Sequence, residues 1–143
     1  MHASMTAAIG SGTLIYAKDL ARLASFYRRL LSMSEVHATE ELVVLRSSDG
    51  RSLNGDLIVH QIPVHIAETI VVESPPVLRE DTAIKPFFAV ASFAEAQARA
   101  SSLGGALFGP RYQGPGFLLT NAHDPEGNII QLREPIDGAL VAS

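Results

Sequence analysis

The chain contains no cysteine. Disulfides, thiolate catalysis and zinc–thiolate centres are therefore excluded, and a reducing compartment suits it. Charge is also sparse, with 18% charged residues, a net charge of -4 and no basic block. Phosphate binding needs clustered Lys and Arg, so a nucleic-acid partner is not expected. No apolar run approaches the roughly 18 residues that span a bilayer, so no membrane association is expected. The N-terminus lacks a charged stretch followed by a long apolar core, so no signal peptide is read and the expected location is the cytoplasm. No Gly-rich phosphate loop is found, because Gly114-Pro115-Gly116 lacks the Lys and Ser/Thr such a loop requires. The G-x-S-x-G elbow of serine hydrolases is missing too.

What is there is enough apolar material for a real core: 47% of 143 residues are hydrophobic. A pattern also recurs. Tyr16-Ala17-Lys18-Asp19-Leu20 follows a short apolar run and opens a helical stretch, and Val90-Ala91-Ser92-Phe93 does so 73 positions later. In the first copy Thr13 to Ala17 reads as a strand and Asp19 as a helix N-cap. Leu20, Leu23, Ala24, Tyr27 and Leu31 then fall on one helix face. Strands are expected over Glu35 to Thr39, Leu42 to Arg46 and Leu53 to Ile62, with a turn at Ser48-Asp49-Gly50 and a bulge or kink at Asn54-Gly55.

Residues 63–84 form the connection, with a short helix expected over His65 to Val72 before Pro75-Pro76. This segment reads as a surface linker or as a flap over a cleft. In the second copy Pro86 to Val90 is a strand, and Ser92 to Glu95 has the capping-box form. Phe93, Ala96, Ala100 and Leu103 repeat at helical spacing, and Gly104-Gly105 stops that helix. Ala106 to Phe108, Phe117 to Asn121 and Ile129 to Arg133 read as strands, with a hairpin loop at Asp124-Pro125-Glu126-Gly127-Asn128. The order is βαβββ twice. The expected organisation is a first module at 11–62, a connection at 63–84, a second module at 85–135, and tails at 1–10 and 136–143.

Asp19-Leu20, Phe26-Tyr27 followed by Leu31, and Asp124-Pro125-Glu126-Gly127-Asn128-Ile129-Ile130-Gln131-Leu132 resemble the motifs of the vicinal oxygen chelate superfamily. That superfamily includes glyoxalase I, the bleomycin-resistance proteins and the extradiol dioxygenases. The resemblance covers about Gly12 to Pro135, with Ser32 standing where the family usually has Gly. It implies an α+β fold in which two tandem βαβββ modules form a curved mixed sheet around a shared cleft. Metal-dependent members place His or Glu at four strand positions, two per module. Those positions carry over to Gly12, Lys85, Gln131 and a residue on the Ile58 to His60 strand. Gly12 has no side chain, Lys85 repels a cation, and Gln131 is a weak donor. Only His60 suits a metal, and a divalent ion needs about three protein ligands.

The resulting expectation is a metal-independent protein that binds a small, partly apolar molecule, in the manner of the bleomycin-resistance type. No cofactor is expected, a divalent metal being the disfavoured alternative. His60 is the candidate catalytic residue. His60, Gln131, Lys85, Tyr16, Leu14, Phe87, Tyr112 and Arg111 are the candidate ligand-binding set. His37, His65 and His123 read as surface residues, and Asp124 and Asn128 as structural. The resemblance also implies a homodimer. Two alternatives stay open: a lyase, isomerase or dioxygenase with an altered or absent metal site, and a non-catalytic regulatory module.

Overall fold

The computed structural model describes residues 10–48 and 54–136. The expected turn residues Asp49 and Gly50, Leu53 at the head of its expected strand, and the tails at 1–9 and 137–143 lie outside them. The chain divides into two compact units, with the boundary between Glu73 and Ser74.

The first unit runs β1 (Gly12–Ala17), α1 (Leu20–Leu30), β2 (Met33–Ala38), β3 (Leu42–Ser47), β4 (Asp56–Gln61) and α2 (Val64–Ala67). Its mixed sheet has the order β1-β4-β3-β2, with β1 and β4 parallel and the other pairs antiparallel. A bulge falls between Glu35 and His37 in β2, not at Asn54-Gly55, which precede β4. The Asp19 side chain caps α1 by accepting the Arg22 amide. The helix buries Leu20, Leu23, Ala24, Phe26, Tyr27 and Leu30. Burial of each large side chain among these contributes about 1.5–3 kcal/mol. Leu57 and Val59 of β4 are fully buried, whereas Ile58 and His60 alternate onto the open face. The expected helix over His65 to Val72 is one turn, Val64–Ala67, held by Lys18 Nζ on the Ala67 carbonyl at 3.0 Å.

The open face of this sheet also carries a forked ion pair. Arg46 Nε donates to Asp56 Oδ1 at 2.9 Å, and Nη2 to Oδ2 at 2.8 Å. The hydrogen bonds and charge of Asp56 hold the Arg46 guanidinium above the usual arginine range. A raised value favours the folded state at every pH below the unfolded one, so the contribution of Arg46 is fully present at neutral pH.

The second unit runs β5 (Phe87–Ala89), α3 (Phe93–Ser102), β6 (Ala106–Leu107), β7 (Tyr112–Gly114), β8 (Phe117–His123) and β9 (Ile129–Pro135). Its sheet has the order β5-β9-β8-β6, with β7 also pairing with β8. The strand β7 lies in what reads as a loop in the sequence. The βαβββ plan is thus kept with one strand position split in two by Phe108 to Arg111. Ser92 caps α3 through the Glu95 amide, and Phe93, Ala96 and Ala100 are buried.

The connecting stretch is mostly exposed, and the boundary between the units falls within it. Beyond the boundary it lies on the β8–β9 turn. The Arg79 amide donates to the Gly127 carbonyl at 2.9 Å. Gly127 has φ +87, and a Cβ there would come within 2.2 Å of the Val77 carbonyl oxygen. Only glycine permits both the backbone conformation and that approach.

One brace appears in both halves. The Leu20 amide, at the first turn of α1, donates to Gln61 Oε1 at 3.1 Å. The Phe93 amide, at the first turn of α3, donates to Glu134 Oε2 at 2.5 Å. Residues 20 and 93 are 73 apart, and so are 61 and 134. In each case the end of the last strand satisfies an amide that helix geometry leaves without a partner.

Candidate functional site

The paired registers fix which residues share an open face. In the first unit Leu14 stands beside Ile58 and Tyr16 beside His60. In the second unit Phe87 stands beside Gln131. Applying the 73-residue offset, the counterpart of Gln131 is Ile58 and the counterpart of His60 is Arg133. The fourth position assigned to a metal ligand is therefore Ile58, and His60 lies two residues beyond it.

The four positions are thus Gly12, Ile58, Lys85 and Gln131. They do not fit a divalent ion: one has no side chain, one is a hydrocarbon, one is a cation and one is a neutral amide. At Gly12 the backbone itself stands in the way, because a Cβ would lie 2.6 Å from the Asp56 carbonyl oxygen. Among the described residues no group of three His, Asp or Glu side chains is arranged to hold a metal.

His60 is half-buried, and its ring lies 5.5 Å from that of Tyr16. Its Nδ1 sits 2.9 Å from the Gln61 carbonyl. A carbonyl only accepts, so Nδ1 is the donor in this contact. Tyr16 is 59% exposed and Leu14 48%, so the open face of this sheet is substantially apolar.

In the second unit the structure brings Lys85, Phe87 and Gln131 together. Lys85 Nζ donates to Asn121 Oδ1 at 3.1 Å, and Asn121 faces Gln131 across the β8–β9 pair. Gln131 Oε1 accepts from Arg133 Nε at 2.8 Å. Tyr112 pairs with Leu119, which pairs with Arg133, so it joins the same face at its β7 edge. Phe87 is 58% exposed and Tyr112 55%.

Arg111 does not join them. Its Nη1 donates to Thr120 Oγ1 at 2.9 Å and to the Phe108 carbonyl, and its guanidinium lies over the Phe93 ring. Thr120 is fully buried, on the opposite side of β8 from Asn121. Arg111 therefore ties the Phe108 to Arg111 loop to the core, apart from the face that carries Lys85, Phe87 and Gln131. His37 and His65 are exposed, while His123 is half-buried with Nδ1 at 3.0 Å from the Asp124 carbonyl.

Sequence reasoning missed Arg133, Asn121 and Phe117. The signal for Arg133 was available, since it has the parity of Gln131 and lies one repeat beyond His60. Asn121 needed the β8–β9 register. A separate groove of about 530 Å³ lies between α1 and the β2–β3 edge, bordered by Asp19, Arg28, Glu35 and Glu40. None of the candidate residues above lines it.

The model of the glyoxalase-like domain matches residues 13–133, most of the chain. The chain belongs to the glyoxalase-like family. This glyoxalase-like protein has no match among curated protein sequences. Solved structures share its fold at low identity. A glyoxalase/bleomycin resistance protein from Albidiferax ferrireducens is 19% identical, with TM-score 0.59 over 90% of this chain and 99% of that one. The fosfomycin resistance protein FosX from Listeria monocytogenes, solved with Mn(II) and sulfate, is 14% identical, with TM-score 0.61 over 93% and 94%. A bleomycin-binding protein complexed with bleomycin is 17% identical, with TM-score 0.56 over 89% and 98%. At these identities the likeness establishes the fold and, with the family match, membership of the vicinal oxygen chelate superfamily. No helix among the described residues is long and apolar enough to cross a membrane.

Proposed function

We propose that this glyoxalase-like protein binds a small, partly apolar molecule on its open sheet faces, through shape and polar contacts and without a resident metal. The observation that carries this is the filling of the four assigned positions by Gly12, Ile58, Lys85 and Gln131, with backbone closing off the first. Leu14 and Tyr16 on the first sheet, and separately Phe87 and Tyr112 on the second, offer apolar surface of the kind that suits small-molecule sites. Gln131 and Lys85 supply polar contacts on the second sheet, and His60 does so on the first. The bleomycin-binding neighbour makes sequestration the simplest form of this activity.

The test is metal analysis of protein purified without chelator, together with thermal-shift screening against neutral hydrophobic drugs and small 2-oxo acids. A ligand that raises the melting temperature and is recovered unchanged supports sequestration. A stoichiometric divalent ion that is needed for binding overturns the reading.

A second reading has one observation of its own. His60 has Nδ1 anchored on the Gln61 carbonyl, which leaves Nε2 as the ring nitrogen open to a ligand and places it as a candidate general base. Conversion of a bound ligand that is abolished in His60→Gln decides for an enzyme of the lyase or isomerase kind. We further propose a cytoplasmic homodimer. Light scattering after size exclusion tests the dimer, and a monomeric mass rejects it.

A further inference from the structure

The open face of the second sheet carries a cation whose surroundings select a ligand class. Arg133 is half-buried, and its guanidinium carbon lies 3.6 Å from the Phe87 ring centroid and 4.6 Å from that of Phe117. Its Nε is held by Gln131 Oε1 at 2.8 Å. Two rings and one amide thus fix the plane of the fork. Among the described residues the terminal amino groups of Arg133 have no acceptor and no carboxylate partner.

The neighbouring amides extend the same logic. The oxygen of Gln131 is engaged by Arg133, and the oxygen of Asn121 by Lys85. The amide oxygens of Gln131 and Asn121 already each accept one hydrogen bond, the N–H donors of these four side chains outnumber the acceptor sites left, and two of the four carry positive charge. A face with two cations and a surplus of N–H donors favours an oxyanion and disfavours a cation. The planar fork of Arg133 matches a carboxylate or phosphoryl group in bidentate fashion. Phe87 is exposed beside it and offers a surface for the rest of the ligand.

We propose that this face is an oxyanion site, and that the molecule bound here carries a carboxylate or phosphoryl group on an apolar body. Arg133 is its specificity-determining residue, taking the anion on its two terminal amino groups. Gln131 and Lys85 add donors, and the apolar body lies against Phe87. The inference rests on the small-molecule reading above and narrows it to one class of ligand.

The test titrates the full chain with 4-phenylbutyrate, with its neutral counterpart 4-phenylbutanol and with inorganic phosphate, at constant ionic strength. The acid is expected to bind about tenfold or more tightly than the alcohol, since the charge-assisted fork is the difference between them. Phosphate is expected to compete with the acid. Arg133→Gln removes the preference for the acid, and Arg133→Lys retains part of it, because the charge stays while the planar fork is lost. Melting temperatures of the unliganded variants monitor folding. Lys85→Gln, at the end of the sheet, serves as a second variant and weakens both anions severalfold, by roughly the loss of one exposed charge contact.

Equal binding of acid and alcohol overturns the oxyanion site and leaves the small-molecule reading standing. An acid preference that survives in well-folded Arg133→Gln moves the anion elsewhere and overturns the assignment. Failure of both acid and phosphate to bind also overturns it. The small-molecule reading is then judged separately on the neutral compounds.

Discussion

Replacing Asp124 with Ala removes the acceptor around which the β8–β9 turn is built. The side chain is fully buried. Its Oδ1 accepts the Glu126 amide at 2.9 Å and the Asn128 amide at 3.0 Å, and its Oδ2 accepts Asn128 Nδ2 at 2.8 Å. A hydrogen bond to a charged acceptor contributes about 1.5–3 kcal/mol net, and a buried donor left unmatched costs about 1–3 kcal/mol. These terms overlap, because both describe the same amides. The backbone bonds Asp124 N to Asn128 O and Gly127 N to Asp124 O also survive the change. We therefore expect a loss of about 3–5 kcal/mol, a large share of the roughly 5–15 kcal/mol typical of a domain. Asp124→Asn keeps an oxygen for the two backbone amides and sets nitrogen against nitrogen at Asn128, so it should cost about 1–2 kcal/mol. Urea denaturation followed by far-UV circular dichroism reads both values, with the slope as a check that the unfolded state is unchanged. An Ala variant that loses less than about 1 kcal/mol, or that is more stable than the Asn variant, would refute this account of the turn.

Other perturbations test the surrounding framework. Gly127→Ala should destabilise by about 2 kcal/mol or more, because it combines positive φ with a collision at the Val77 carbonyl. The expected signature is new proteolytic cleavage near Val77, and an uncut, fully stable variant speaks against the contact. Gln61→Leu removes the acceptor of the Leu20 amide and the donors to the Ala17, Lys18 and Ile62 carbonyls. A loss of about 2–4 kcal/mol in thermal or chemical unfolding is expected, and a neutral result would show that the brace is ornamental. Ser32 adopts φ 53, so Ser32→Gly should be neutral or stabilising by up to about 1 kcal/mol, whereas Ser32→Val should destabilise. Parallel melting curves of the three proteins check that order.

The periodic parts of the chain were legible before any coordinates. Leu20, Leu23, Ala24 and Tyr27 are spaced for one helix face and are buried. Asp19 and Ser92 cap the helices as their types suggest. The Gly that the family has at position 32 acquires a reason in the left-handed backbone of Ser32. The choice between Ile58 and His60 was within reach of the 73-residue offset, which carries Gln131 onto Ile58, and the register of β1 and β4 agrees with it. What stayed hidden depends on contacts between distant strands. Arg111 read as a ligand contact because a Gly/Pro-rich loop does not reveal which side of the sheet it folds over, and Thr120 decides that. The strand Tyr112–Gly114 is three residues long, too short for alternation to register. The anchor of the stretch after Pro75-Pro76 is the close approach of Gly127 to Val77, which composition does not disclose.

The absence of a side chain at position 12 has a consequence for anyone wishing to arm this scaffold with iron, manganese or zinc. Histidine or glutamate can be written into positions 58, 85 and 131 by exchanging side chains alone. Position 12 resists such a swap, because the obstacle is the neighbouring strand's own main chain, 2.6 Å from where the first carbon would sit. A redesign must first pry β1 away from β4, giving up part of the ladder that closes the sheet, or else recruit its first ligand from a different strand.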